Sequence, residues 1–562
     1  LTWLIALAAL NLYLLNTSHM VFMDPDEGRC VMIAHKMLDS GNWLVLQQPL
    51  AAAPYFDKPI LYFWMLAGTL RLLGTSEFSA RLLTVVGAAL AVGATYQLGC
   101  ILRSKRTGLL ASAMLGTCVM MQIAGRFVRM DMWLTAFVAW GIVFWARAHF
   151  ENASRHNLLL GYTCLAAALL TKGLIGVLLP FAAIGAFLAW RRDWSSIGRS
   201  GLWWGVLLIV LLAGPWYAYM AFHYPGYLGE FFWKQHVLRA ATGTFGRGQM
   251  PLFLPAVAMA GLLPWTAFLC GGLARAFPIE SNRNWPRTEA MALPRWWAAL
   301  GILPFALSRT QLPVYVAPAF PALALIAADY LDRLLEPERE RELKWMTIAT
   351  LALMGACLFT LALINQYTFC SGPWQAFARR AVGFVPVSAI VIALLRRNRS
   401  AGAVGALVAG TIALAVDASH IEGPAMFAHF SSQRFAQCIA NNADAGTELL
   451  VGPSPRYAMT LYCEKPVEVK HLAHLVDFLE YTDHPHSFVG LLTSERLYGL
   501  ARSQLPGRMQ LLDHRGDEYL VRITAKTPAT YPAAAFPVAR RQDRMDAPVV
   551  IDPTSGLRAL DR

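Results

Sequence analysis

Residues 1–22, LTWLIALAALNLYLLNTSHMVF, run without an acid, Lys or Arg straight into Met23-Asp24-Pro25-Asp26-Glu27-Gly28-Arg29, where three carboxylates and an arginine fall within six residues. A helix needs about 20 apolar residues to cross a hydrocarbon core about 30 Å thick. Acids set just beyond such a run belong at the lipid–water boundary, because nearer the bilayer centre each would cost about 2.5–3.5 kcal/mol. The run has no basic start and no small-residue cleavage site, so it reads as a retained span and not as a removed signal peptide. A start at Leu1 in place of Met reads as a chain that begins late.

Outward from this stretch the alternation of apolar run and charged connection repeats. Further apolar stretches lie at 79–101, 108–124, 132–148, 157–170, 174–190, 202–222, 253–275, 291–307, 314–329, 345–365, 381–395 and 401–418. With the first they give about thirteen spans, the shorter ones tilted or paired. The 562 residues are 56% hydrophobic and 15% charged, against roughly 25% charged in soluble domains. This composition excludes an ordinary soluble enzyme. The net charge of +13 falls in short clusters between spans, such as Arg103-Ser104-Lys105-Arg106, Arg191-Arg192 and Arg396-Arg397-Asn398-Arg399. That is a topology signal placing those loops in the cytoplasm, and it makes nucleic acid a poor partner.

The remaining connections are then outside: 23–78, 125–131, 171–173, 223–252, 308–313, 366–380 and everything after 418. The expected fold class is mostly α, a polytopic transmembrane helix bundle over 1–418 with interfacial helices in the first outer loop (23–78). A small extracytoplasmic α/β domain is expected over 419–525, from strand-like runs at Glu448-Leu449-Leu450-Val451 and Tyr519-Leu520-Val521-Arg522-Ile523. Residues 526–562, rich in Pro, Ala and Arg, read as a disordered tail. The nine cysteines show no metal-ligand spacing, and Cys438 and Cys463, together in the outer region, are left open as paired or free.

Every cluster of unusual residues falls on the outer side. Asp24, Asp26, Glu27 and Arg29 come first; Asp26 could also serve only as a helix N-cap. Tyr55-Phe56-Asp57-Lys58-Pro59 follows in the same loop, with Pro59 opening a second interfacial helix. Arg126-Phe127-Val128-Arg129-Met130-Asp131 marks the next outer turn, and Thr171-Lys172-Gly173 the third. The long loop 223–252 carries Phe232-Trp233-Lys234-Gln235-His236-Val237-Leu238-Arg239, and the last turn Leu312-Pro313-Val314-Tyr315. Cations from several turns with interspersed carboxylates suit a phosphate-linked sugar donor. Arg and Lys neutralise the departing phosphate while a carboxylate orients or deprotonates the nucleophile. With no Gly-rich nucleotide cradle after a strand, the donor is read as a lipid.

On these motifs residues 20 to about 330 resemble the polytopic glycosyltransferases of the C superfamily (GT-C), and within them the bacterial aminoarabinose transferases that modify lipid A. The resemblance implies catalytic acids at Asp26, Glu27 and Asp131, and donor-phosphate contacts from Arg29, Lys58, Lys172, Arg239 and Tyr315. It further implies a divalent metal, zinc, between Asp57 and His236. In that family, glutamates stand where this chain has Asp57 and Gln235, and a tyrosine where it has Cys30. The expected activity is transfer of a sugar, aminoarabinose-like or another hexose or pentose, from a polyprenyl-phosphate carrier. The acceptor would be lipid A, a glycan or a protein at the periplasmic face of the inner membrane. The alternatives are a protein O-mannosyltransferase-like enzyme and a transporter or flippase of lipid-linked sugars.

Overall fold

A computed structural model of the chain describes residues 1–49, 53–151, 154–238, 250–275, 289–369, 373–442, 448–451, 457–463, 468–471, 488–492, 495–515 and 517–524. The chain divides into two compact units, Leu1–His471 and Leu472–Arg562. In the first unit α1 (Thr2–Leu14) leads to two helices in the first loop, α2 (Asp26–Ser40) and α3 (Leu61–Leu73). Then come α4 (Glu77–Leu102), α5 (Lys105–Thr117), α6 (Val119–Ala124), α7 (Asp131–Phe150) and α8 (Arg155–Lys172). Next are α9 (Ile175–Arg191), the short α10 (Ser195–Arg199) and α11 (Leu202–His223), and a π-helical segment follows at Gly229–Leu238.

The second half of the unit continues with α12 (Phe253–Gly261), α13 (Thr266–Ala274) and α14 (Ala292–Ala306). A 3-10 turn at Pro313–Ala319 enters α15 (Phe320–Leu334), followed by α16 (Glu340–Phe369), α17 (Pro373–Arg396) and α18 (Ser400–His429). The unit ends with α19 (Gln433–Asn442), β1 (Glu448–Val451), α20 (Tyr457–Tyr462) and β2 (Glu468–His471), β1 and β2 pairing in parallel. The second unit holds β3 (Phe488–Leu492), α21 (Glu495–Gln504), β4 (Met509–Arg515) and β5 (Glu518–Ile523). β5 pairs antiparallel with both β3 and β4, opposing Gly490 to Val521, and a bulge interrupts the β4 register at Leu511–Asp513.

A helix lies on each of the thirteen apolar stretches, and both strand-like runs are strands. The chain is a polytopic membrane protein. Among the described residues five helices are long and apolar enough to cross a bilayer, or six when α12 and α13, bent by 120°, count as one broken span. The others are shorter, less apolar or outside that count, α7 for instance having 20 residues but being less apolar, which is where the sequence count and the structure part. Cys438 and Cys463 are both free. The expected tail lies outside the described residues.

Burial sorts the helices. The most apolar window of α4 is 72% buried and that of the Pro313–Leu334 segment 89%, whereas those of α11, α16 and α18 are 33% buried and turn most of their apolar surface outward, toward lipid. α4 packs against α1, α5 and α7, so these four helices share one centre. Its start is fixed locally: Ser76 and Ser79 exchange side-chain and backbone bonds of 3.0 and 3.1 Å, a capping box. α8 and α9 form a hairpin whose turn residue Gly173 has φ +87°, which L side chains resist.

Candidate active site

The site is built on the joint between the first loop and the bundle. Asp26 and Glu27 open α2, where carboxylates meet the positive end of the helix dipole. Glu27 is fully buried. Its Oε2 accepts from the backbone N–H of Met23 and from Arg81 Nη2, both at 2.8 Å, and its Oε1 accepts from the Val128 N–H at 2.8 Å. Burial raises the Glu27 carboxyl pKa against the opposing pull of Arg81 and these amides. Glu27, expected among the catalytic acids, thus has both oxygens engaged and no exposed surface. Its geometry ties the first loop to the 125–131 turn.

Arg81, inside the first turns of α4, completes that joint. It donates to the carbonyls of Val21 and Arg126 at 3.0 Å and to Met20, and its guanidinium lies 4.7 Å from the Phe427 ring and 5.3 Å from that of Phe22. Tyr462 of α20 closes the same corner, accepting from the Phe22 N–H at 2.7 Å and donating to Glu77 at 2.8 Å. Gly28 faces this segment so closely that a Cβ there would lie 2.4 Å from the Ala458 nitrogen. No other residue fits without moving α20.

In front of the joint runs a chain of alternating charges. Arg29 pairs with Asp26 Oδ1, and Arg129 Nη1 reaches Asp26 Oδ2 at 2.8 Å. Arg129 Nε also donates to Asp131 Oδ2 at 3.1 Å, and Lys172 Nζ pairs with Asp131 Oδ1. The Lys172 ammonium then lies 5.2 Å from the Tyr315 ring, within cation–π range. Arg29, Asp26, Arg129, Asp131, Lys172 and Tyr315 come from four separate segments, so the tertiary fold alone assembles them.

The two acids differ in access. The Asp26 side chain is 22% exposed and that of Asp131 3%. Asp131 stands at the loop end of α7, outside its apolar run. Burial raises its carboxyl, but the charges of Lys172 and Arg129 outweigh that and hold it below the ordinary carboxylate value, with Lys58 adding to the same pull. Lys58 therefore acts on the cluster electrostatically from the first loop. Tyr55 and Tyr457 border Arg29; burial raises both phenols, and the Arg29 charge opposes it.

Of the remaining expected residues, Asp57 Oδ1 accepts a hydrogen bond from Gln235 Nε2 at 2.7 Å, a contact across 178 residues that pins the π-helical segment to the first loop. The His236 side chain and all of Arg239 lie outside the described residues. Among the described residues no three His, Cys, Asp or Glu side chains gather as a metal site. Asp57 is the one described side chain of the expected zinc pair, and no chemistry is assigned here to a metal.

Residues 57–219 match the family model of dolichyl-phosphate-mannose-protein mannosyltransferase. An undecaprenyl phosphate-alpha-4-amino-4-deoxy-L-arabinose arabinosyl transferase of Erwinia tasmaniensis is 30% identical over 57% of this chain and 57% of its own length. A protein of the same name from Pseudomonas paraeruginosa is 30% identical over 65% of this chain and 66% of its own. The chain thus spans less than two thirds of these two relatives. Crystalline ArnT from Cupriavidus metallidurans bound to undecaprenyl phosphate superposes with a TM-score of 0.74 at 21% identity, covering 92% of this chain and 97% of that one. The fold is an ArnT-like GT-C fold.

Of the expected residues, Asp26, Arg29, Asp131, Lys172 and Tyr315 are brought together. Two residues escaped the sequence reading. Arg129 lay in a quoted motif two positions before Asp131, yet nothing local says that it bridges two acids. Arg81 had a signal, a lone arginine in the run Glu77–Leu102 that opens a span, and such a charge needs a partner. Arg126, by contrast, turns away from the cluster to bond the Leu12 carbonyl at 2.8 Å and the Ser419 hydroxyl at 2.7 Å.

Proposed function

We propose that this protein is a glycosyltransferase that moves a sugar from a polyprenyl-phosphate carrier to an acceptor at the periplasmic face of the bacterial inner membrane, with inversion at the anomeric carbon. The observation that supports it most is the bridged charge chain Arg29–Asp26–Arg129–Asp131–Lys172, cations and acids alternating at one end of the bundle. The relatives' names make undecaprenyl phosphate the first carrier to test and 4-amino-4-deoxy-L-arabinose the first sugar; the motif resemblance to the aminoarabinose transferases makes lipid A the first acceptor to test.

In this reading Lys58, Lys172 and Arg29 hold the donor phosphate and take up the charge it gains as the C1–O bond breaks. The acceptor oxygen forms the new bond on the opposite face of C1. Asp26, the more accessible acid, orients that oxygen and receives its proton when the acceptor is a hydroxyl. Asp131 and Glu27 are positioning residues: the first fixes Lys172 and Arg129, the second fixes the loop that presents Asp26. Arg129 spaces the two acids by bonding both. The basic loops face the cytoplasm and the cluster faces the periplasm, as the charge alternation indicates.

The match of residues 57–219 to a protein mannosyltransferase family favours a protein hydroxyl as the second acceptor to test. Purified protein in liposomes, given undecaprenyl-phosphate aminoarabinose with lipid A or with a Ser/Thr peptide, discriminates them by product mass. A mass increase of one aminoarabinose on either acceptor supports the reading. Unchanged acceptors with this donor and with polyprenyl-phosphate mannose would overturn it.

A further inference from the structure

A second feature lies away from the charge cluster. A cavity of about 240 Å³ opens among α7, α8, α9 and the start of α11, with Trp145, Tyr162, Leu165, Phe181 and Leu188 among its walls. Its few polar groups are already spent. Tyr162 donates to the Ser200 carbonyl at 2.9 Å, and Trp145 Nε1 to the Ser200 hydroxyl at 3.2 Å. What remains is hydrocarbon surface, smaller than the roughly 300–1,000 Å³ of a drug-sized pocket, so it suits the end of a chain and not a polar molecule.

Its position along the helices is fixed by their rise. Lys172 ends α8 at the cluster, and the cavity residues Leu165 to Leu158 lie about 10–20 Å back along it. α7 and α9 likewise run from the cluster toward the cavity, which therefore sits in the opposite half of the bundle, beside α10. There the segment 191–199 carries three arginines and one aspartate. Arg191 is taken by Glu289 at 3.2 Å. The Arg199 side chain is 72% exposed; its Nη2 donates to the Ser196 hydroxyl at 2.8 Å and the Ser195 hydroxyl at 3.2 Å and lies 3.6 Å from Asp193, which leaves most of the guanidinium facing outward. Trp190, Trp194, Trp203 and Trp204 are 52–84% exposed around it, an aromatic belt of the kind that marks a membrane interface.

We propose that this cavity seats one acyl chain of an anionic phospholipid whose phosphate meets Arg199 and Arg192 at the membrane surface. Hydrocarbon below an aromatic belt and a basic rim above it match the two ends of such a lipid, and a basic residue at the surface adds about fivefold to anionic-lipid affinity. The site is separate from the sugar-donor cluster.

Gly185 lines the cavity, and a Cβ there would meet nothing within 4 Å. Gly185→Leu therefore adds a branched apolar side chain to the cavity wall from an unobstructed Cβ. Full-length protein, delipidated and returned to phosphatidylglycerol or to phosphatidylcholine of the same chains, is compared by native mass spectrometry. The wild type should retain one phosphatidylglycerol, Gly185→Leu should lose it, and Arg199→Gln should bind phosphatidylglycerol roughly fivefold more weakly with phosphatidylcholine unaffected. Equal retention by wild type and a helical, cooperatively melting Gly185→Leu would overturn the cavity. Indifference of Arg199→Gln to headgroup would overturn the phosphate contact.

Discussion

Asp26 carries the heaviest demand at the scale of single residues, because it is the one acid of the cluster with a substantial open face. If the acceptor is a hydroxyl, Asp26→Asn should lower turnover by about 10²–10⁴ while donor binding is kept. Lys58→Ala should weaken donor binding and turnover together, since its charge acts before and during cleavage; steady-state kinetics on one donor separates the two. Asp131 supplies a pH signature. Its depressed carboxyl contributes stability that is present above the ordinary carboxylate pKa and lost as pH falls through the lower folded value. The melting-temperature gap between wild type and Asp131→Asn in detergent should hold from pH 7 to about 4 and close below that. A gap that closes between pH 7 and 5 would contradict the ion-pair reading. Exhaustive chelation tests the expected zinc pair of Asp57 and His236: turnover lost on chelation and restored by zinc would support it, and full turnover in a verified metal-free protein would remove it. Asp26, Arg29, Asp131 and Lys172 were legible because charge at the edge of an apolar run stands out. Arg129's double bridge was not, since its partners lie 103 residues apart in sequence for Asp26 and two for Asp131.

At the scale of elements, α2 is the part that must be held, and two contacts hold it. The buried Glu27–Arg81 pair joins it to α4; Glu27→Gln leaves a buried guanidinium without its counter-charge and should cost about 3–5 kcal/mol. Gly28→Ala pushes a methyl into the backbone of α20 and should cost about 1–3 kcal/mol. Thermal melts in detergent check both, and a Gly28→Ala protein as stable as wild type would mean that α20 does not pack on α2. The helices themselves were legible from hydropathy, including the amphipathic α2 and the helix after Pro59. The bend between α12 and α13 was not, because an unbroken apolar run is equally consistent with a straight span and a folded one. The packing of α20 on Gly28 was invisible too, as it depends on a segment more than 400 residues away.

At the scale of the whole molecule, the fold supplies separation: the α10 rim lies at one end of α7, α8 and α9 and the charge chain at the other, and the proposed topology puts the basic loops in the cytoplasm. Cysteines introduced at Lys105, Arg192 and Arg397 should be shielded from an impermeant reagent in intact cells, whereas one at the exposed Trp233 should react. Labelling of Lys105 and Trp233 from the same side would break the topology. Polytopic architecture and the one-sided placement of the motifs were readable from the alternation of apolar runs and charges, whereas the number of full crossings depends on helix lengths and bends that only three-dimensional packing decides. The central claim is that the charge chain cleaves a polyprenyl-phosphate sugar instead of carrying it across intact. The most direct measurement is the release of free undecaprenyl phosphate from undecaprenyl-phosphate aminoarabinose in proteoliposomes, followed by mass spectrometry with and without lipid A. The account predicts acceptor-dependent release matched one to one by aminoarabinose-modified lipid A, and both falling together in Asp26→Asn; donor recovered intact on the far side of the membrane, with no free undecaprenyl phosphate, would contradict it.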